Sequence, residues 1–163
     1  MVYNWIIGRA GNWFFDKANL EMKYIVEQIQ LLCKAIAKMR AGNRCEICGE
    51  LPPEGHHIFF GASKADWQTW SNPDFYASVC SVCHRTGPAA AHVDNKVFLS
   101  VYLPKIDQER RQAVMARIDS PAERPAMKCP YKAVLARLKE QYEELESTCW
   151  MDADMEPEYG RAR

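Results

Sequence analysis

Two Cys-x-x-Cys pairs, Cys45 with Cys48 and Cys80 with Cys83, frame a His-His pair, His56 and His57. The second pair runs straight into His84, and His92 follows eight positions on, so all four histidines of the 163-residue chain lie in or beside this one stretch. Thiolates two residues apart reach an ion from a single tight turn, and zinc takes four ligands tetrahedrally. The spacing therefore predicts a structural Zn2+ held by Cys45, Cys48, Cys80 and Cys83. A redox dithiol, the other reading of Cys-x-x-Cys, wants βαβ surroundings that this sequence lacks. Four sulfurs complete such an ion and leave the imidazoles for other work, so a second, histidine-based site is expected.

Between residues 43 and about 93, Gly, Pro, Cys and His concentrate and apolar periodicity nearly vanishes. So little carbon to bury makes a metal staple the physical means of ordering this stretch. Helical patterns flank it. Asp16 is placed to cap a helix over 17–40, with Leu20, Tyr24, Ile25, Ile29, Leu32, Cys33 and Ile36 near 3.6-residue spacing and Gly42 as terminator. That stripe suits the chain's own core or a homodimer. "NKVFLSVYL" predicts a helix ending at Pro104, "DQERRQAVMARID" a short helix stopped at Ser120-Pro121, and Pro130 opens a last one with Val134, Leu135, Leu138, Tyr142 and Leu145 on one side. The expected organisation is a helical extension over 1–42, a zinc module over 43–104, C-terminal helices over 105–150 and a flexible acidic tail over 151–163.

A hydrophobic fraction of 48% and a charged fraction of 26% are those of a soluble globular protein. No apolar run approaches the roughly 18 residues of a membrane span. The start, "MVYNWIIGRAGNWFF", lacks the basic region of a signal peptide. The expectation is a cytoplasmic protein without membrane contact, its seven cysteines reduced and Cys33, Cys129 and Cys149 left over as buried thiols. A net charge of zero counts against a strong nonspecific grip on nucleic acid. The distribution is uneven: residues 105–139 carry nine Lys/Arg against four Asp/Glu, and residues 140–163 two against eight. Either a basic surface patch or ordinary solvated helix faces follow from this.

"CEIC…GHHIFF…NPDFYASVCSVCH" resembles the HNH nuclease family, whose zinc-bound members frame the active motif of a ββα-metal fold with two Cys-x-x-Cys pairs. "CHRTGPAAAH" resembles the phage-type recombination nucleases of that superfamily. The likeness covers residues 43–103. It implies an α+β protein in which a small ββα-metal zinc module packs against N- and C-terminal helices. It implies a DNA endonuclease of phage or prophage DNA processing or recombination, with His56, His84 and His92 on a catalytic Mg2+, Mn2+ or other divalent ion. His57 would be the general base. Neighbours on a strand point to opposite faces, so His56 can meet the metal while His57 meets substrate. The family's middle Asn usually stands five residues before the third zinc cysteine, where this chain has Phe75; Asn72 is the substitute, either bonding the loop that holds His57 or capping a turn before Pro73. Pro88 stands where a ligand four residues after His84 is expected, so His92 either compensates across the break or caps the helix near Asp94.

For DNA, Arg44, Lys64, Arg85 and Lys96 are the candidate phosphate contacts. Trp67 and Trp70 either stack on bases or cover the zinc lobe. The rival is a non-catalytic zinc-stapled protein that binds or inhibits a nucleic-acid-associated partner, suited to the acidic C-terminal end. A zinc-ribbon DNA-binding factor is a third reading, disfavoured because no dense Lys/Arg stripe exists.

Overall fold

Ile25, Ile29, Cys33, Ile36 and Ala37 recur at helical spacing, and all are buried along one side of helix α1 (Asn4–Arg40). The computed structural model describes residues 4–59, 66–119 and 129–153. Asp16 is not the cap expected of it, because the helix begins at Asn4 and runs through that position. Leu20 and Tyr24 also leave the predicted stripe, since both are exposed. At the other end Gly42 does terminate the helix, in a left-handed backbone (φ +59°) that glycine adopts without strain.

The buried side of α1 meets Val134 and Leu138 of α5 (Tyr131–Ala153), together with Trp70 and Tyr76. Helix α5 continues three residues past the boundary expected at 150, and residues 154–163 lie outside the described residues. Cys33 is fully buried in this cluster, and its burial pushes the thiol up to about 12, so it is an inert core thiol. Cys129 is half-buried against the same cluster; the side chain of Cys149 lies outside the described residues. Trp70 is likewise buried here and stacks on Tyr131, so it covers the helical core and not the cysteine lobe.

Strands β1 (Pro53–His57) and β2 (Tyr76–Cys80) pair antiparallel, from Pro53 opposite Cys80 to His57 opposite Tyr76. All five residues of β2 are buried, because the strand serves two clusters. Tyr76 joins the α1–α5 cluster. Ala77 and Val79 join a second one with Ile58, Phe98 and Tyr102 of α3 (Asn95–Tyr102), and Val114 of α4 (Gln108–Asp119). The predicted helices over 95–103 and 107–119 are α3 and α4, with Asp94 capping α3 through its side chain on the N–H groups of Lys96 and Val97. Between the strands lie the short helix α2 (Trp67–Trp70) and a 3-10 turn (Pro73–Phe75). The molecule is thus mixed helix and strand. Among the described residues no helix is long and apolar enough to cross a membrane.

Part of the basic charge over 105–139 is turned inward, while Lys105, Lys132, Arg137 and Lys139 are exposed. Arg110 is buried and ion-pairs with Glu46, Arg117 pairs with Asp66, and Arg111 and Arg137 donate to the backbone carbonyls of Ile106 and Ser71. Arg110, Arg111 and Arg117 thus serve structural contacts, and the exposed Lys105, Lys132, Arg137 and Lys139 stand at solvated surface.

Candidate metal centre

The first knuckle forms because Gly49 folds its N–H back onto the Cys45 carbonyl at 2.8 Å, which brings Cys48 beside Cys45. Ser78 of β2 then pins the turn from three atoms. Its carbonyl accepts from the Glu46 N–H, its own N–H donates to the Glu46 carboxylate, and its hydroxyl donates to the Arg44 carbonyl, each at 2.8 Å. The second knuckle leaves the end of β2 at Cys80 and closes through a wide turn over Val82–Thr86, where the Gly87 N–H donates to the Val82 carbonyl.

All four sulfurs lie within 4.8 Å of one another. The Cys48 and Cys80 sulfurs are 3.6 Å apart, and those of Cys83 and Cys48 are 3.7 Å apart. A tetrahedron with Zn–S near 2.3 Å has an edge of about 3.8 Å, so the spacing fits one ion and is far too long for a disulfide. Four cysteines in this arrangement can hold a metal such as zinc.

The same turn sets the imidazoles. His84 directly follows Cys83, and the carbonyls of Cys83 and His84 accept the N–H groups of Ala91 and His92 at 3.1 and 3.0 Å. That pair of bonds carries the chain around Pro88 and lays His92 back on His84. Of the two readings of His92, the cap is not what is observed. Its Nε2 lies 3.0 Å from the Nε2 of His84, while Asp94 does the capping.

His56, Ala77 opposite it and Phe98 complete the wall. His56 is buried, with its ring 4.6 Å from that of His84 and 5.2 Å from that of His92, and one ligand nitrogen from each of the three lies within 4.8 Å of the others. His57 follows on β1, exposed, with its ring 5.3 Å from that of His56.

Electrostatics oppose protonation of His56, His57 and His84. Burial, then the charges of His84, His57, His92 and Lys34, push His56 down to about 3. Burial and the charge of Lys34 lower His57, and burial lowers His84 against the opposing pull of Glu54. Neutral imidazole is the form that ligates a cation.

Glu54 was not foreseen. Its Oε2 lies 2.6 Å from Nδ1 of His84 and 2.8 Å from Arg85, and these hydrogen bonds hold its carboxyl below the ordinary range. An ionised carboxylate can only accept, so the His84 proton sits on Nδ1 and the lone pair of Nε2 faces the cluster. A carboxylate behind the far nitrogen of a ligating histidine is the usual way its tautomer and ring orientation are fixed. The signal was present in sequence: Glu54 and His56 are two apart on a strand and share a face.

Asn72 takes the turn role. Its Oδ1 accepts the Asp74 N–H at 3.0 Å and caps the turn over Pro73–Phe75. The Phe75 carbonyl at the end of that turn accepts the N–H of Ile58, so Asn72 shapes backbone next to His57 at one remove. Arg44 and Lys96 are exposed, Arg85 is tied to Glu54, and Lys64 lies outside the described residues. Lys34 of α1, which raises the positive potential felt by both His56 and His57, was also missed.

No protein family, no curated protein and no solved structure matches this chain. The chemistry of the site is therefore read from its donors and their geometry.

Proposed function

We propose that this protein is a metal-dependent endonuclease of the HNH type that hydrolyses phosphodiester bonds in DNA. The observation that carries the reading is the split at residues 56 and 57: one imidazole is buried among two others as a ligand set, and its neighbour is exposed beside that set. The hairpin β1–β2, followed by the turn that bears His84, supports a ββα-metal arrangement, and the sulfur cluster supports a structural Zn2+ at its base.

His56, His84 and His92 would hold the catalytic ion. When bound, such an ion supplies positive charge for the developing phosphorane and the leaving oxygen. Three imidazoles without a carboxylate suit Zn2+, Ni2+ or a related first-row ion better than Mg2+, which prefers oxygen donors. His57, its proton affinity lowered by partial desolvation and by the charge of Lys34, accepts a proton from water as the water oxygen bonds to phosphorus. The bond from phosphorus to the leaving oxygen breaks, that oxygen takes a proton from solvent, and His57 returns its proton to solvent. Lys34 places a cation where the phosphate's charge must be met. Arg44 and Lys96 would contact flanking phosphates. The likeness of "CHRTGPAAAH" extends the proposal to phage or prophage DNA processing or recombination.

Purified protein supplied in turn with Mn2+, Ni2+, Zn2+ and Mg2+ is expected to nick supercoiled plasmid. His57→Ala is expected to lose about 10²–10⁴-fold in rate with circular dichroism and metal content unchanged. Activity that survives the substitution removes His57 from its role. A single zinc per chain, no second exchangeable ion and no nicking would favour the non-catalytic binder instead.

A further inference from the structure

Beside His57 lies a cavity of about 210 Å³. Its walls are Phe59, Trp70, Phe75 and Tyr76, with Gln30 and His57 also lining it. The volume is several times the roughly 30 Å³ share of one water and below the roughly 300–1,000 Å³ of sites for extended ligands, a size for one small planar ring system. Phe59 and Phe75 stand edge to face at 5.4 Å, and the His57 ring lies 6.5 Å from that of Tyr76. Several polar groups of the wall are engaged: the Tyr76 hydroxyl donates to the Trp70 carbonyl at 2.7 Å, and Thr69 accepts from Arg117 at 2.7 Å. Gln30, exposed on α1, offers an amide with both donor and acceptor to an incoming ring edge.

We infer that this cavity receives one unstacked nucleobase of the substrate strand, so that the protein acts on single-stranded or locally unpaired DNA in preference to continuous duplex. The inference rests on the endonuclease reading and deepens it. A phosphate held between His57 and the three-histidine cluster would have its own nucleoside a few ångströms away, within reach of the cavity that His57 lines. A base in a duplex is paired and stacked and reaches such a cavity only by being turned out of the helix.

The charge distribution points the same way. Residues 43–104 carry four Lys/Arg against six Asp/Glu, and Arg110, Arg111 and Arg117 after them are held by internal contacts. Cations held in this way meet no phosphate, which lessens the counterion release that drives duplex binding. Stacking on aromatic side chains is the sequence-tolerant alternative.

The test uses the full zinc-loaded chain without added catalytic metal, so that binding is read apart from cleavage. The probe is a mixed-sequence oligodeoxynucleotide carrying one 2-aminopurine, single-stranded and in perfect duplex, followed by anisotropy and by 2-aminopurine emission. The single strand is expected to bind at least about tenfold more tightly and to change its emission; Phe59→Ala should weaken it about tenfold, the scale of one lost base–aromatic contact. Phe59→Leu keeps apolar bulk and removes only the ring face, so its loss of the emission change reads stacking and not unfolding. Equal affinity for both forms, or indifference to Phe59→Leu, overturns the pocket even where plasmid is nicked. Single-strand binding with the emission change but no cleavage under any metal leaves the pocket standing and overturns the endonuclease reading instead.

Discussion

His84 is defined by what stands behind it. The Glu54 carboxylate fixes the proton on Nδ1 and so turns Nε2 into a ligand atom aimed at His56 and His92. Glu54→Gln keeps the size but allows the amide nitrogen to face His84, and the ring loses its enforced tautomer. Affinity for an ion at the histidine cluster is expected to fall 10–100-fold while the thiolate-bound zinc stays in place, as read by titration of a second ion into zinc-loaded protein. Retained affinity would limit Glu54 to pairing with Arg85. Acid acts on the same cluster. His56 has an ordinary value of 6.5 and is pushed down to about 3, so between these the unfolded chain binds the extra proton. Stability is therefore full above about pH 6.5 and is lost on acidification, by up to about 1.4 kcal/mol per pH unit for one such group. Thermal melts are expected to be level above neutrality and to drop from pH 6.5 to 5; a level profile down to pH 5 contradicts a buried neutral His56.

At the scale of elements, β1 matters because it carries both Glu54 and His56 and lies directly on α1. Gly55 stands between them, and a Cβ there would be 2.5 Å from Cβ and 2.9 Å from Cα of Lys34. The Lys34 side chain could swing away from a clash at its tip, but not from one at its backbone. Gly55→Ala is expected to lift β1 from α1, costing about 1–3 kcal/mol in urea unfolding and loosening the histidine cluster with it. An unchanged midpoint would mean that the two elements part without cost. The helices α3, α4 and the core of α5 were legible because apolar periodicity, the stops at Pro104 and Ser120-Pro121 and the start at Pro130 are local signals. The start of α1 was not: Asp16 has a capping side chain, yet a residue able to cap can also sit inside a helix whose bonds continue past it. Leu20 and Tyr24 have the right spacing but are exposed, since burial depends on which elements pack against a helix and not on its own sequence.

Across the whole molecule, one buried ion pair ties the knuckle to the helices. Arg110 of α4 reaches the Glu46 carboxylate, the Tyr102 hydroxyl and the carbonyls of Asp74 and Tyr76, while Glu46 also accepts from Ser78 and Tyr102. Glu46 sits between two sulfur ligands, so the cysteine lobe, β2, α3 and α4 share this one network. Removing the charge of one partner leaves the other buried. Glu46→Gln is expected to destabilise the fold by about 3–5 kcal/mol, measured by denaturant unfolding of zinc-loaded protein. A loss below about 1 kcal/mol would show that Arg110 finds water instead.

Read by itself, the sequence determined the ligand chemistry: which residues are thiols and imidazoles, and that paired cysteines turn tightly enough to share an ion. Those are properties of residue type and short spacing, and a local chain segment enforces them. Only the tertiary structure decided which groups meet. His92 reaches His84 across eight positions, Glu54 reaches His84 across 30, and Glu46 reaches Arg110 across 64. Contacts at such separations depend on how strands and helices pack, because no local conformational preference of the chain spans them.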